Sequence, residues 1–445
     1  MSTDDPTPNG PRTWSGRAET PLGEFVRMTL GPIALMLVTP PAAIAFYITC
    51  AFLDGELSRL VSREGLDAFV THFPRPTLAA AQIILAFVAF EALLLKALPG
   101  KEFLGPVTPT GNRPRYTLNG VAAFVVTLAA FFGLSSGAGL FPASIVFDHF
   151  GAILITLTVS ALAFCGFLYF KGRFAPSSTD AGLSGNPVFD FYWGVELFPT
   201  LFGFNLKQLF NCRIGMMGWA VTIVSFAAAQ HAHGHLSSAM VVSVFLQLAY
   251  IFKFFVWEGG YFASLDVMHD RFGYYICWGV TVWIPALYTL PTQWLVRHPI
   301  DTHPLVAIAI ALLGLASIWA NYDADAQRQR VRETGGKTTV WGRKPAIIYA
   351  QYTTADGAEH QSLLLVSGWW ALARHAHYVP ELALAFAWTL PAGFTHLAPW
   401  IYWLFLMVLL LDRASRDDTR CRTKYGKHWD EYCERVPYKV IPGIY

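Results

Sequence analysis

The stretch Pro304-Leu-Val-Ala-Ile-Ala-Ile-Ala-Leu-Leu-Gly-Leu-Ala-Ser-Ile-Trp-Ala-Asn321 is apolar, and a basic helix carrying Arg328, Arg330 and Arg332 begins directly after it. About 20 such residues form a helix long enough to cross the hydrocarbon core of a bilayer. Comparable apolar runs lie near 29–53, 77–98, 117–136 and 147–170, then near 214–229, 238–264 and 274–296. Two shorter ones, near 379–395 and 397–412, read as a helical hairpin. The predicted fold is all-α: a polytopic integral membrane protein with about ten transmembrane helices and a cytoplasmic-side cofactor pocket formed by the C-terminal half.

Composition agrees. Of the 445 residues, 54% are hydrophobic and only 14% charged, where a soluble domain has about 25% charged. A net charge of +2 gives no reason to expect a nucleic-acid partner. The six cysteines are scattered without a Cys-x-x-Cys pair, which argues against both a disulfide framework and a zinc site, and no metal is expected. The division expected is a disordered, uncleaved polar tail over 1–27, N-terminal helices over 28–190 and a catalytic C-terminal core over 191–445. Lys and Arg concentrate in alternate loops, in the 322–350 segment and in the 413–445 tail. By the positive-inside rule both termini face the cytoplasm. The aromatic segment Asn186-Pro-Val-Phe-Asp-Phe-Tyr-Trp-Gly-Val-Glu-Leu-Phe-Pro199 reads as an interfacial lid within a loop over 171–213. No internal repeat is evident, which disfavours an inverted-repeat transporter.

Polar groups at membrane depth are expensive, so they mark sites. Ser367-Gly-Trp-Trp-Ala-Leu-Ala-Arg-His-Ala-His-Tyr378 sets Arg374, His375 and His377 in apolar sequence; residues 362–377 read as a buried half-helix or re-entrant piece. Arg328 and Arg332 are four apart and share a helix face. In the tail, Arg413 and Asp417 are one turn apart, the expected i,i+4 pair, with Lys424, Tyr425, Trp429 and Tyr432 beyond. Asp418, Arg422 and Lys427 read as a solvated face. Guanidinium forks suit phosphate, and Trp369 and Trp370 offer flat apolar faces, so the three patches together suit a bulky, multiply phosphorylated aromatic cofactor. No strand–GxGxxG–helix unit is present, so such a cofactor binds through side chains. Glu258, Asp266, His269 and Asp270 form a second dense cluster; a buried carboxyl there has its proton affinity raised, as a general acid needs. His231, His233 and His235 read as a polar turn.

These residues carry a resemblance. Asn211-Cys-Arg-Ile-Gly-Met-Met217, Asp266-Val-Met-His-Asp-Arg-Phe-Gly273, Trp341-Gly-Arg-Lys-Pro345, Leu364-Leu-Val-Ser-Gly-Trp-Trp370, Arg374-His375, Asp417 through Tyr425 and Val436-Pro-Tyr-Lys-Val-Ile-Pro-Gly-Ile-Tyr445 resemble the sterol reductases of the endoplasmic reticulum. The family includes Δ7 and C14 reductases and the lamin B receptor membrane domain; His377-Tyr-Val-Pro-Glu381 and Trp283 through Leu290 look most like plant-type members of the Δ7 branch. The resemblance covers about 190 to the end. It implies NADPH held by Arg328, Arg332, Trp370, Arg374, His375, Arg413, Asp417, Lys424, Tyr425 and Tyr432, where the family commonly has Lys at the position of Arg328. It implies proton and hydride addition to the C7=C8 bond of a 5,7-diene sterol entering from the bilayer lipid, with Glu258, Tyr261, Asp266 and Tyr288 as acid or pocket candidates. The alternatives are a Δ14 reductase, a membrane methyltransferase of the isoprenylcysteine type and a non-catalytic sterol-binding protein. The membrane is that of the endoplasmic reticulum or the bacterial inner membrane.

Overall fold

A computed structural model describes residues 21–108, 110–353 and 357–445. Most of the expected polar tail, 1–20, lies outside them, and the helix that follows starts at Pro21, so 21–27 are helical. Eight described helices are long and apolar enough to cross a membrane: α1 Pro21–Phe52, α2 Leu78–Ala97, α3 Gly120–Gly137, α4 Phe150–Phe174, α5 Gln208–Ala232, α6 Ser238–Val256, α8 Pro304–Glu333 and α10 Ala398–Tyr425. Two further expected spans are helical but interrupted or short. The seventh, α7 (274–297), contains a π-helical stretch at Gly279–Tyr288 around Pro285, whose ring removes a helix donor. The ninth, α9 Tyr378–Thr389, is only 12 residues long. The chain is a mostly helical, polytopic membrane protein.

Starts follow local chemistry. Thr77 and Ser237 accept from Ala80 and Met240 N–H and cap α2 and α6, satisfying donors that have no helical partner; Pro304 opens α8, where its missing N–H costs nothing. Burial separates the roles of the spans. The most apolar stretch of α5 is 83% buried, against 22–28% in α1, α2 and α8. Helix α5 is therefore the hub, carrying Trp219 and Phe226 into the core, while the others face lipid. At about 1.5 Å per residue, the 30 residues of α8 span roughly 45 Å against a hydrocarbon core of about 30 Å. Its last three turns thus project beyond the bilayer with Arg328 and Arg332.

Three antiparallel hairpins add to the helices: β1 Lys101–Leu104 with β2 Arg115–Leu118, β3 Thr200–Leu201 with β4 Phe204–Asn205, and β5 Ile347–Thr353 with β6 Glu359–Leu365. The last corrects the half-helix expected over 362–377. Leu363, Leu364 and Leu365 pair with Tyr349, Ile348 and Ile347, and only Trp369–Leu372 turns helically.

The 171–213 loop is also different from expectation, since α5 already begins at Gln208. Its aromatic segment is a wall, with Trp193, Leu197 and Phe198 buried. Arg271 donates to Val195 O at 3.0 Å and Phe272 N–H to Glu196 O at 3.0 Å, while Lys171 pairs with Glu196 at 2.7 Å. Two glycines permit this crossing: a Cβ on Gly194 would stand 2.5 Å from Gly273 N, and one on Gly273 2.3 Å from Gly194 N. Lys207 and Arg213, which fall within the loop expected over 171–213, are 1% and 0% exposed.

Candidate functional site

One cavity opens where α8 and α10 end. Arg328 and Arg332 enter from α8, Leu364 and Leu365 from β6, and Trp370, Arg374, His375, His377 and Tyr378 from the segment leading into α9. Helix α10 supplies Arg413, Asp417, Arg420, Cys421 and Tyr425, a stripe at helical spacing. Trp429 and Tyr432 come from the terminal helix Lys427–Arg435, and Ser264 and Leu265 close the opposite side. The empty volume is about 840 Å³ including the open mouth. The chain's last residues hold this site together, because Tyr438 O and Lys439 O accept from the Arg374 and His375 N–H groups at 2.9 and 2.8 Å.

Nine of the ten cofactor candidates thus line a single cavity. The tenth, Lys424, stands just outside with its Nζ 3.9 Å from the Tyr352 ring centre, and Tyr352 meets Tyr425 edge-on at 5.8 Å. The lining carries five arginines against one aspartate. Some of this charge is compensated: Arg420 to Asp417 at 2.7 Å, Arg413 to Asp266 at 2.9 Å and Arg328 to Asp325 at 3.2 Å. The i,i+4 pair expected between Arg413 and Asp417 does not form; each has a different partner. Asp418, expected on a solvated face, accepts from Trp429 Nε1 at 3.1 Å. Arg328 also lies 4.2 Å over the Trp370 ring, a cation–π contact. Arg332 Nε donates to Leu363 O at 3.5 Å.

Several buried polar atoms here have no hydrogen-bond partner among the described residues: Arg374 Nε, His375 Nε2 and His377 Nδ1. Arg374 Nε is 3.6 Å from Asp418 and His375 Nε2 is 3.9 Å from Asp417, within Coulombic reach but too long for hydrogen bonds. Unpaired buried donors cost about 1–3 kcal/mol each. The Arg374 Nε donor, with two imidazole nitrogens that donate or accept according to tautomer, fits an anionic ligand with polar edges in this arginine-rich cavity.

Burial holds the His375 imidazole down at about 4, against the pull of Asp417 and with help from Arg328, Arg374 and Arg413. Burial, with Arg328 next, also drives His377 well below its ordinary value. Because the folded value lies below the unfolded one, the unfolded chain takes up protons first as pH falls. This part of the stability is present above about pH 6.5 and is lost as pH drops towards 4. The thermal midpoint of the detergent-solubilised protein should fall through that window, and His375→Gln should flatten the slope; an unchanged slope would show that His375 does not titrate this way.

The catalytic candidates separate. Asp266 pairs with Arg413 beside the cavity. Tyr261 OH accepts from Asn211 Nδ2 at 2.8 Å. Glu258 lies elsewhere, its Oε1 accepting from Arg213 at 2.8 Å and its Oε2 from Gly120 N–H at 3.0 Å. Tyr288 sits inside the bundle against Tyr402 and Trp219, at 4.4 and 5.3 Å. The sequence reading missed Arg420, although it follows Arg413 at two-turn spacing. It also missed an intramembrane pair in which Tyr250 OH donates to Glu381 Oε1 at 2.8 Å while Asn321 donates to Oε2 at 2.9 Å. Its signal was an acid and an amide within apolar spans. His235, in the polar turn, pairs with Asp301 at 3.0 Å.

Fold and cavity together define a polytopic membrane protein with a basic, aromatic-walled cavity at one end of its bundle. The chain belongs to the ergosterol biosynthesis ERG4/ERG24 family, which matches residues 25–445. It is 48% identical over 418 residues to 7-dehydrocholesterol reductase of Arabidopsis thaliana, covering 93% of this chain and 96% of the relative. It is 32% identical to 7-dehydrocholesterol reductase of Xenopus laevis (94% and 92% covered) and 34% identical to Delta(14)-sterol reductase of Methylotuvimicrobium alcaliphilum (93% and 94%).

Proposed function

We propose that this protein is a sterol reductase that uses NADPH to saturate the C7=C8 bond of 5,7-diene sterols, with both termini in the cytoplasm. The observation that carries this is the convergence of Arg328, Arg332, Arg374, Arg413 and Trp370 on one cavity, in a chain 48% identical to a plant 7-dehydrocholesterol reductase. The residues fit the dinucleotide: guanidinium groups for its phosphates, Trp370 and Tyr425 for its flat rings, and the unpaired nitrogens of His375 and His377 for its polar edges. Bound NADPH supplies the hydride. Arg413, aimed by Asp266, and Arg328, propped on Trp370, would hold the phosphates, and the buried walls would keep water from the reacting carbon.

We place the sterol among α5, α6, α7, α9 and α10. There Trp219, Tyr250, Tyr288, Trp388 and Tyr402 form an apolar aromatic cluster that shields a developing carbocation from solvent. Tyr250, hydrogen-bonded to Glu381, and Tyr288 carry hydroxyl groups in this cluster and are the proton-donor candidates. Asp266 and Glu258 are each committed to an arginine, so in this reading they orient or brace instead of donating a proton. Overall a proton and a hydride add across one C=C bond as NADPH becomes NADP⁺. The second reading, Δ14 reduction, rests on the bacterial relative at 34% identity. Offering the purified protein a 5,7-diene sterol and a Δ14 sterol separately, each with NADPH, separates the two: saturation of the first alone supports the proposal, and saturation of the second alone overturns it.

A further inference from the structure

Lys207 is 1% exposed and is part of no cavity described above. Its Nζ donates to Val267 O at 2.6 Å, Asp266 O at 3.2 Å and Asp270 O, and it sits 5.0 Å from the Phe198 ring centre. All three N–H groups of the ammonium are therefore spent on one short segment. The acceptors belong to the end of the helical turn Leu265–Met268 and its exit, where carbonyls have no helical donor and carry partial negative charge.

The same segment turns its carboxylates the other way. Asp266 pairs with Arg413 at 2.9 Å and Asp270 with Arg416 at 3.4 Å, two arginines on neighbouring turns of α10. Residues 266–270 thus lie clamped between a buried ammonium on one side and two guanidinium groups on the other. Arg413 lines the cavity. Burial draws the Lys207 amine down to about 7, with Asp270 and Asp266 opposing it, and an apolar side chain would fill its place without that desolvation cost. Its three carbonyl contacts on one short segment therefore point to a role in geometry.

We infer that Lys207 is a positioning residue for the cofactor cavity: by fixing the carbonyls of 266–270 it sets Asp266, which in turn aims the Arg413 guanidinium at the bound phosphate. This inference rests on the NADPH reading above. Lys207 touches neither cofactor nor sterol, so its removal acts on cofactor affinity through Asp266 and leaves sterol affinity alone.

The test uses the full-length enzyme with NADPH as the probe. Lys207→Met, Asp266→Asn and the double variant are compared by NADPH binding, by KM for each substrate and by kcat. Lys207→Met should raise the KM for NADPH about tenfold with the sterol KM within about twofold, and the double variant should bind NADPH no more weakly than the worse single one. Lys207→Arg, which keeps the charge with a different donor geometry, should fold and show an intermediate rise, so the inference can be judged even if the Met variant misfolds. An unchanged KM for NADPH in both Lys207 variants, effects that multiply with Asp266→Asn, or equal rises in both KM values would overturn it. A wild-type enzyme that binds no NADPH would overturn the proposed function itself, an outcome distinguishable from these.

Discussion

Arg413→Ala should lower NADPH-dependent sterol reduction about 30-fold or more. The residue stands where two functions meet, lining the cavity and pairing with Asp266 at 2.9 Å. Truncating one member of a desolvated charge pair costs about 2–5 kcal/mol, part of it from the charge left behind, and each 1.4 kcal/mol is about tenfold. The loss should fall on NADPH affinity first, while sterol binding persists. Arg413→Lys should recover only part, because a point charge replaces a fork that reaches both Asp266 and a phosphate. Steady-state KM values for NADPH with direct binding by fluorescence check this; an Arg413→Ala enzyme within a fewfold of wild type would place the phosphates elsewhere.

The second large effect concerns stability. Arg213 (0% exposed) and Glu258 (2%) form a dry junction: Arg213 also donates to Asn119 Oδ1 at 2.7 Å, and Asn119 Nδ2 donates to Leu95 O and Leu98 O at 3.1 and 3.0 Å. The ends of α2 and α6 and the starts of α3 and α5 meet there. Arg213→Met leaves a carboxylate buried without its counter-charge, which costs about 3–5 kcal/mol, so most of the folded protein should be lost from detergent extracts. Pairing it with Glu258→Gln should recover a good part, since the stranded charge is gone. Glu258→Gln alone should lower the thermal midpoint and leave kcat within a fewfold in whatever folds. A Glu258→Gln enzyme that is stable but inactive would instead make Glu258 the acid.

Length and apolarity made the membrane spans legible, because a run of about 20 apolar residues has few other uses. Those two properties say nothing of which span is buried: α6 and α8 look alike in hydropathy and differ in burial. Four of the five arginines of the cavity were legible for a related reason, as charges clustered beside apolar sequence, while Arg420 was passed over. Their partners were not. Arg413 sits next to Asp417 on its helix, yet pairs with Asp266, 147 residues away, because the tertiary fold brings a carboxylate closer than the helix does. The β6 strand was hidden because Leu363-Leu-Leu365 reads like the start of a helix, and its partner β5 begins with two isoleucines that alternate poorly. Tyr250 and Glu381 were hidden by distance, each looking like a lone polar residue in an apolar run until α6 and α9 pack together.

The central claim is that this cavity holds NADPH so that its hydride reaches a sterol alkene. It is tested most directly by incubating the purified protein with 7-dehydrocholesterol and NADPH deuterated at the transferable position, then following the conjugated-diene absorption and the mass of the product. The account predicts loss of the diene absorption only when the cofactor is present and a product carrying one deuterium, both greatly weakened by Arg413→Ala. A diene that persists while NADPH is bound, or a reduced product without deuterium, would contradict it.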